Sequence, residues 1–534
     1  TMKLSDLFKV SLVATAMTLA GCGGDIEITP TVNDNSSSTD NSVNNSNNTT
    51  GSTTEEEAVC ASYESDAGTV TGVVSGIDCL YNDSFASKTI SITSNITFAE
   101  LPDGGVHVFE DALQIGEDGS TVDGFEVPAN GPTMTVEPGA VLAFGSGEAI
   151  VRIARGAKIQ AVGTEEKPVV FTSANAFDRF DTAGEGARYA DWGGIIINGN
   201  GITDQCTDAE RDGGTCNVAS EGITSYFGGN DNADSSGNIK WAKIWYAGSG
   251  PRVGGEGDDL NSLTLNAVGS GSEFDYLHIH QGFDDGIEIF GGATTLKHVA
   301  VTDTQDDSFD FDAGWQGKAQ YLFIQHGTVT LNDGTVVNMG NNGFESDGVK
   351  GSSTEQVSPS NPTVANVTVV TTDGNSVRDD DPSQAYKFDD QFNSSIYNTV
   401  IVKQNATNTQ CIEFSGDGEA QADKISFTSS VMACSANFTD TDTFASGPLE
   451  GQTKTAWFEN DGANQFLTDD VAVLADNGFA TNTAAAEVTV TATDLSTSDS
   501  FFESVNYIGA VSDQDTDSSW YKWVEAAVTA ANAD

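Results

Sequence analysis

The stretch Leu263-Thr-Leu-Asn-Ala-Val-Gly-Ser-Gly-Ser-Glu-Phe-Asp-Tyr-Leu-His-Ile-His280 decides the fold. It holds two short apolar alternations with a glycine-rich turn between them. A second turn, Gln281-Gly-Phe-Asp-Asp-Gly286, follows, and then the pattern starts again at Ile287-Glu-Ile-Phe-Gly-Gly292 and Thr295-Leu-Lys-His-Val-Ala-Val301. A third unit begins at Phe309-Asp-Phe-Asp-Ala-Gly314 and runs to Tyr321-Leu-Phe-Ile324. The unit starts Leu263, Ile287 and Phe309 lie 24 and 22 residues apart. A period of 20–25 residues with several short strands in each unit is the signature of a β-solenoid. One unit cannot bury its apolar face alone, so the units must stack. Period-two alternation then assigns the side chains. Leu277 and Ile279 point inward and match Val299 and Val301 of the next coil, while Tyr276, His278, His280 and His298 point outward.

Upstream segments fit the same plan: Val136–Leu142, Gly156–Thr164, Lys167–Ser173 and Trp192–Gly199. Helical periodicity is confined to the last twenty residues, where Trp520 to Ala531 reads as a helix. The 57 glycines suit a chain in which a tight turn recurs. These segments resemble right-handed parallel β-helix proteins of the pectate-lyase-like superfamily. More narrowly, they resemble uncharacterised bacterial surface lipoproteins. That likeness rests on Phe227-Gly-Gly, Asp284-Asp-Gly-Ile-Glu-Ile-Phe-Gly-Gly292, Asp306-Asp-Ser-Phe-Asp-Phe-Asp312 and Asn506-Tyr-Ile-Gly-Ala510. The resemblance implies the fold and a place in the cell envelope, and it names no reaction.

The expected fold class is therefore all-β, a right-handed parallel β-helix with a small C-terminal cap. Residues 1–21 read as a lipoprotein signal peptide: Lys3 precedes a short apolar run, Leu7 to Ala20, that ends in Leu19-Ala20-Gly21-Cys22. This resembles a lipobox, which implies lipidation of Cys22. Gly23, in place of the Asp of inner-membrane retention signals, favours the outer membrane, facing the cell surface or the periplasm. Residues 22–57 are an Asn/Ser/Thr-rich tether that cannot bury apolar surface. Residues 58–130 are an N-terminal cap with the first coils, 131–450 the parallel β-helix, and 451–534 the C-terminal coils and cap. Insertions at 200–240, 327–342 and 346–362 interrupt the coils. Long connections of this kind gather on one side of a solenoid and shape its binding surface.

The 534 residues carry 22 basic and 79 acidic side chains, a net charge of −57. Such a field repels phosphate backbones and excludes nucleic acid as a partner. It also excludes a basic membrane-docking patch, leaving the lipid anchor as the only membrane contact. Six cysteines besides Cys22 fall as neighbours along the chain: Cys60 and Cys79, Cys206 and Cys216, Cys411 and Cys434. In an oxidising compartment each pair closes a small loop, although six cysteines allow 15 connectivities.

Aligning the coils produces an outward polar column of Glu288, Asp310, Glu345, Lys387 and Glu413. Two positions along lies a second column: Phe290, Asp312, Asp347, Asp389 and Ser415. Asp284, Asp285, Asp306 and Asp307 form a further oxygen-rich group at a turn and are the expected metal ligands. Stacked carboxylates about 4.8 Å apart repel unless a proton or a cation intervenes. Three readings stand: a solvated acidic face, a calcium site, and catalysis on a polysaccharide. Hard cations take several oxygens, which suits calcium. A carboxylate pair suits a glycosidase, and Lys387 or Arg378 is the base a lyase needs, giving Asp310, Glu345 and Lys387 as catalytic candidates. Tyr276, His278, His280, His298 and Trp315 join Glu288, Asp310, Asp312, Glu345 and Asp347 as the expected ligand-binding set. The expected function is a monomeric, lipid-anchored binding or scaffold protein that engages a glycan or another envelope protein and is stabilised by calcium. The alternative is a calcium-dependent polysaccharide lyase or glycoside hydrolase.

Overall fold

Alternating strands of two to ten residues stack coil upon coil in the computed structural model. It describes residues 58–250, 259–350, 359–378, 382–403, 411–416, 418–434, 443–467 and 473–533. The expectations for the signal segment 1–21, for Cys22 and for the 22–57 tether fall outside the described residues. Among those residues, no helix is long and apolar enough to cross a membrane.

Two large parallel sheets wrap one apolar column. The first has ten strands, running in order from Ser91–Ile92 to Ile412–Phe414. Its register is Leu263, Ile287, Phe309, Phe344, Tyr386 and Ile412, one residue per coil. The second sheet has seventeen strands, among them Glu273–His280, Thr295–Thr302, Lys318–Gln325, Thr363–Thr371 and Ser394–Lys403. Leu277 pairs with Val299 and Ile279 with Val301, as the alternation requires. Inward Ile, Leu, Val and Phe from both sheets form one continuous core. Each such side chain removed from water stabilises the fold by roughly 1.5–3 kcal/mol. Phe309, Phe344 and Tyr386 stack along it at 5.2 and 4.6 Å between ring centroids.

The long strands of the second sheet bend once, at a residue in the left-handed region. Trp241, Tyr276, His298, Tyr321, Asn366 and Asn398 hold this corner with φ of 50 to 64°. The bend breaks the alternation, so Asp275 and Tyr276 both point away from the core formed by Phe274 and Leu277. Left-handed backbone costs a non-glycine residue about 1–2 kcal/mol. Stacking offsets it: Trp241 lies on Tyr276 at 3.7 Å, Tyr276 on His298 at 4.3 Å, and His298 on Tyr321 at 4.6 Å. At Gly291 and Gly292, both at positive φ, the turn runs so close to its neighbours that a Cβ on Gly292 would meet Val268 O at 2.4 Å.

The three disulfides join Cys60 to Cys79, Cys206 to Cys216 and Cys411 to Cys434. At the C-terminal end, the helix Lys454–Glu459 and strand Gln465–Leu467 close the stack, with Trp457 and Phe458 against Phe427. The rest of the expected cap does something else. Residues 473–533 turn back and run outside the second sheet, down the stack, as a strap. Its backbone is held by amide side chains from successive coils. Gln465 accepts from Thr489 N–H (2.8 Å) and donates to Glu487 O (2.6 Å). Asn398 accepts from Thr493 N–H and donates to Thr493 O (2.8 and 2.9 Å). Gln320 does the same with Glu503 (2.8 and 3.1 Å). The strap ends in the helix Ser519–Ala531, capped by Ser518 Oγ. Its apolar stripe, Trp520, Trp523, Val524, Ala527 and Val528, has the i, i+3, i+4 spacing of one helix face. That stripe covers the aromatic corner, and Trp523 Nε1 donates to Leu277 O (3.1 Å).

Candidate functional site

The outward face of the ten-stranded sheet carries the acidic columns in register. Glu288 pairs with Asp310, Asp310 with Glu345, Glu345 with Lys387, and Lys387 with Glu413. Phe290 pairs with Asp312 and Asp347 with Asp389 in the second column. Pointing outward does not expose them. The insertions fold back over this face: Phe227 packs with Phe290, Ala267 and Ala313, and Lys350 N–H donates to Asp204. Glu288 is 6 % and Asp312 3 % exposed. The solvated-face reading is therefore excluded for the centre of the columns.

Of the four expected metal ligands, Asp284, Asp285 and Asp306 bring carboxylate oxygens within 4.8 Å of one another. Asp285 also joins Glu288 and Asp310 in a second group of the same tightness. Asp307 is turned elsewhere: its Oδ1 accepts from Asn342 N–H and Nδ2 (2.7 and 2.8 Å), and its carboxyl group lies against that of Glu345. Glu413 accepts from Gln384 Nε2 (2.5 Å). The two groups differ in what balances them. In the first, Arg378 reaches Asp259, Asp284 (3.1 Å) and Asp306 (2.8 Å), and its guanidinium lies over Phe283. In the second, Lys350 lies 3.0 Å from Asp312 and 3.9 Å from Glu288, while Asn261 donates to Glu288.

Arg378, Lys350 and Lys387 face several times their number of carboxylates. Burial, then neighbouring carboxylates, holds Glu288, Asp285, Asp307 and Asp310 well above the usual carboxylate range. Asp284 is also held up by burial, against the pull of Arg378. Burial and Asp312 push Asp347 up to about 8. Against its own burial, Glu345 is pulled down instead, by its interaction with Asp307 and by Lys387. The buried Oδ1 atoms of Asp310 and Asp347 have no hydrogen-bond partner. A cluster of hard oxygens with excess negative charge and unmatched lone pairs fits a divalent cation such as calcium.

Several expected ligand-binding residues are placed elsewhere. Trp315 is in the core, its ring N–H donating to Thr294 O (3.2 Å). It cannot stack on a sugar, because the chain turns inward after Gly314. Tyr276, His278, His280 and His298 belong to the other sheet. They point outward: Tyr276 and His298 stack beneath Trp520 of the strap, and His278 and His280 gather around Thr302 Oγ1 (3.0 and 2.9 Å) beside Trp245. They form no common groove with the acidic columns, because the corner between sheets aims them at a different side. Lys387 fails as a lyase base. Its ammonium sits 2.6 Å from Glu345 Oε1, and the surrounding carboxylates push its pKa up, against its burial. Arg378, tied to three carboxylates, is likewise held in its charged form.

Lys350 and Asp259 were absent from the candidate set, and Arg378 entered it only as a base. Lys350 sits in an insertion and Asp259 beside the bridge of Leu260 to Ser249, so no coil alignment brings them to the columns. A comparison with curated proteins finds none that matches. Residues 115–461 match the model of the pectate-lyase-like β-helix domain, and the chain belongs to that family.

Proposed function

We propose that this chain is a non-catalytic binding or scaffold protein of the cell envelope, anchored by lipid at Cys22 and locked by calcium in the acidic face of its β-helix. The observation that carries the reading is the excess of buried carboxylates at Asp285, Glu288 and Asp310, whose oxygens lie within 4.8 Å of one another. Carboxylates this close leave no room for a sugar ring between them and match the spacing of ligands around one cation. Calcium at this site would cross-link two consecutive coils, tying Asp285 and Glu288 of one to Asp310 of the next. The three disulfides suit an oxidising compartment outside the cytoplasm. A rigid, acidic rod presents a long surface for a glycan or an envelope protein.

The test is thermal unfolding with calcium and with a chelator. A ligand at 100 times its Kd stabilises by about 2.7 kcal/mol, so chelation lowers the melting temperature, and Asp310→Asn removes the response. An unchanged melt in both would remove calcium from the reading. A second reading, polysaccharide hydrolysis or elimination, is favoured by one pair. Asp307 and Glu345 are neighbours whose pKa values are moved in opposite directions, as those of an acid–base pair are. Incubation with uronate-rich and neutral polysaccharides, followed by polymer size, checks it. Shortening abolished by Glu345→Gln would make this face catalytic.

A further inference from the structure

Three coils below the acidic cluster, the same outward face changes sign. Arg152 stands in the column of Glu288, between Gln114 and Ile196. It is 2 % exposed. Its Nη2 donates to Gln114 Oε1 and Gly116 O, both at 3.0 Å, and its buried Nε and Nη1 have no hydrogen-bond partner. Arg155, 1 % exposed, follows at the corner. Its Nη1 reaches Cys216 O (3.1 Å), and its Nη2 reaches Gly119 O (2.9 Å), Asn217 Oδ1 (3.0 Å) and Asp118 Oδ1 (3.3 Å). Its Nε is also unmatched.

Both guanidiniums thus lie against the segment 114–119, and one carboxylate, Asp118, acts on both. That carboxylate is already used. Oδ1 faces Arg155, while Oδ2 accepts from Ser225 Oγ (2.8 Å) and Tyr226 N–H (3.0 Å). Two buried positive charges against one negative leave an excess of one. An uncompensated buried charge costs several kcal/mol, and an unmet buried donor adds about 1–3 kcal/mol. Burial pulls Arg152 down to about 10 in spite of Asp118, which leaves it protonated at neutral pH.

We propose that Arg152 binds a small monovalent anion of the halide class through Nε and Nη1. The excess of one charge sets the valence, and the near-complete burial sets the size. The anion would satisfy both unmet donors and neutralise the face on which the 117–123 turn and the Cys206–Cys216 loop dock. This site is independent of the calcium reading, since its ligand has the opposite sign and its residues belong to other coils.

The experiment is thermal unfolding of the whole protein in sodium chloride or bromide against sodium gluconate, at matched ionic strength and with chelator present. A saturable rise of about 1–3 °C is expected with halide, and Arg152→Gln should be flat. Equal melts of the native protein in halide and gluconate, or the same halide response in Arg152→Gln, would overturn the proposal. If Arg152→Gln does not fold, crystals of the native protein soaked in bromide decide. Anomalous density beside Arg152 Nε and Nη1 supports the site, and water alone at that position overturns it.

Discussion

The two outward faces of this β-helix are both covered by the chain itself, and they are covered differently. The corner of the seventeen-stranded sheet is neutral and matched. Its rings stack, its amides pair with the strap backbone, and its apolar residues meet the helix Ser519–Ala531. The ten-stranded sheet is charged and unmatched, acidic around Glu288 and Asp310 and basic around Arg152 and Arg155. A surface satisfied by its own chain needs nothing further. A buried surface with surplus charge requires ions or protons, and there the chain departs from what stability alone favours.

The strap should be the more costly face to disturb. Trp523→Ala removes a buried indole and its bond to Leu277 O, and it should destabilise by about 3–5 kcal/mol in urea unfolding. A loss below 1 kcal/mol would mean that the strap is loosely held. Asn398→Ala leaves Thr493 N–H and O without their partner and should cost about 1–3 kcal/mol. Asn398→Asp keeps the acceptor but sets a buried carboxylate oxygen against Thr493 O, and at neutral pH it should cost more than Asn398→Ala.

The acidic face should show itself through pH. Its buried carboxylates hold protons when folded that the unfolded chain has released. Metal-free stability should therefore fall as pH rises, for Asp347 across the window from 3.8 to about 8. His107 and His326, lowered to about 4 and about 3 by burial, act in the opposite direction below 6.5. The measurement therefore belongs between pH 6.5 and 8, where chelated protein should lose stability and calcium-loaded protein should not. Parallel slopes would mean that no cation replaces those protons. The smallest effect should come from Lys387→Met. The Lys387–Glu345 pair is partly exposed, and its loss should change stability by less than about 1 kcal/mol.

Much of the fold was legible because a strand's alternation is local. Leu277 over Val299 and Glu288 over Asp310 follow from period two and a repeat of 22 to 24 residues. Trp315 and Tyr276 mark where that reading stops. One follows a turn and the other occupies a left-handed corner, and at both the alternation loses its phase. The fourth aspartate of the expected metal group, Asp307, went to Asn342 and Glu345 because its partners come from the following coil.

The sequence by itself determined the repeat, the inward and outward sets, the stacked carboxylates and the neighbouring cysteine pairs. Each depends on spacing along the chain. Only the tertiary structure decided which outward residues meet water. The strap, the insertions, Arg378 and Lys350 reach their partners from tens to hundreds of residues away, and nothing periodic marks them. That is why His298 lies beneath a helix, and why the acidic column is a buried cluster.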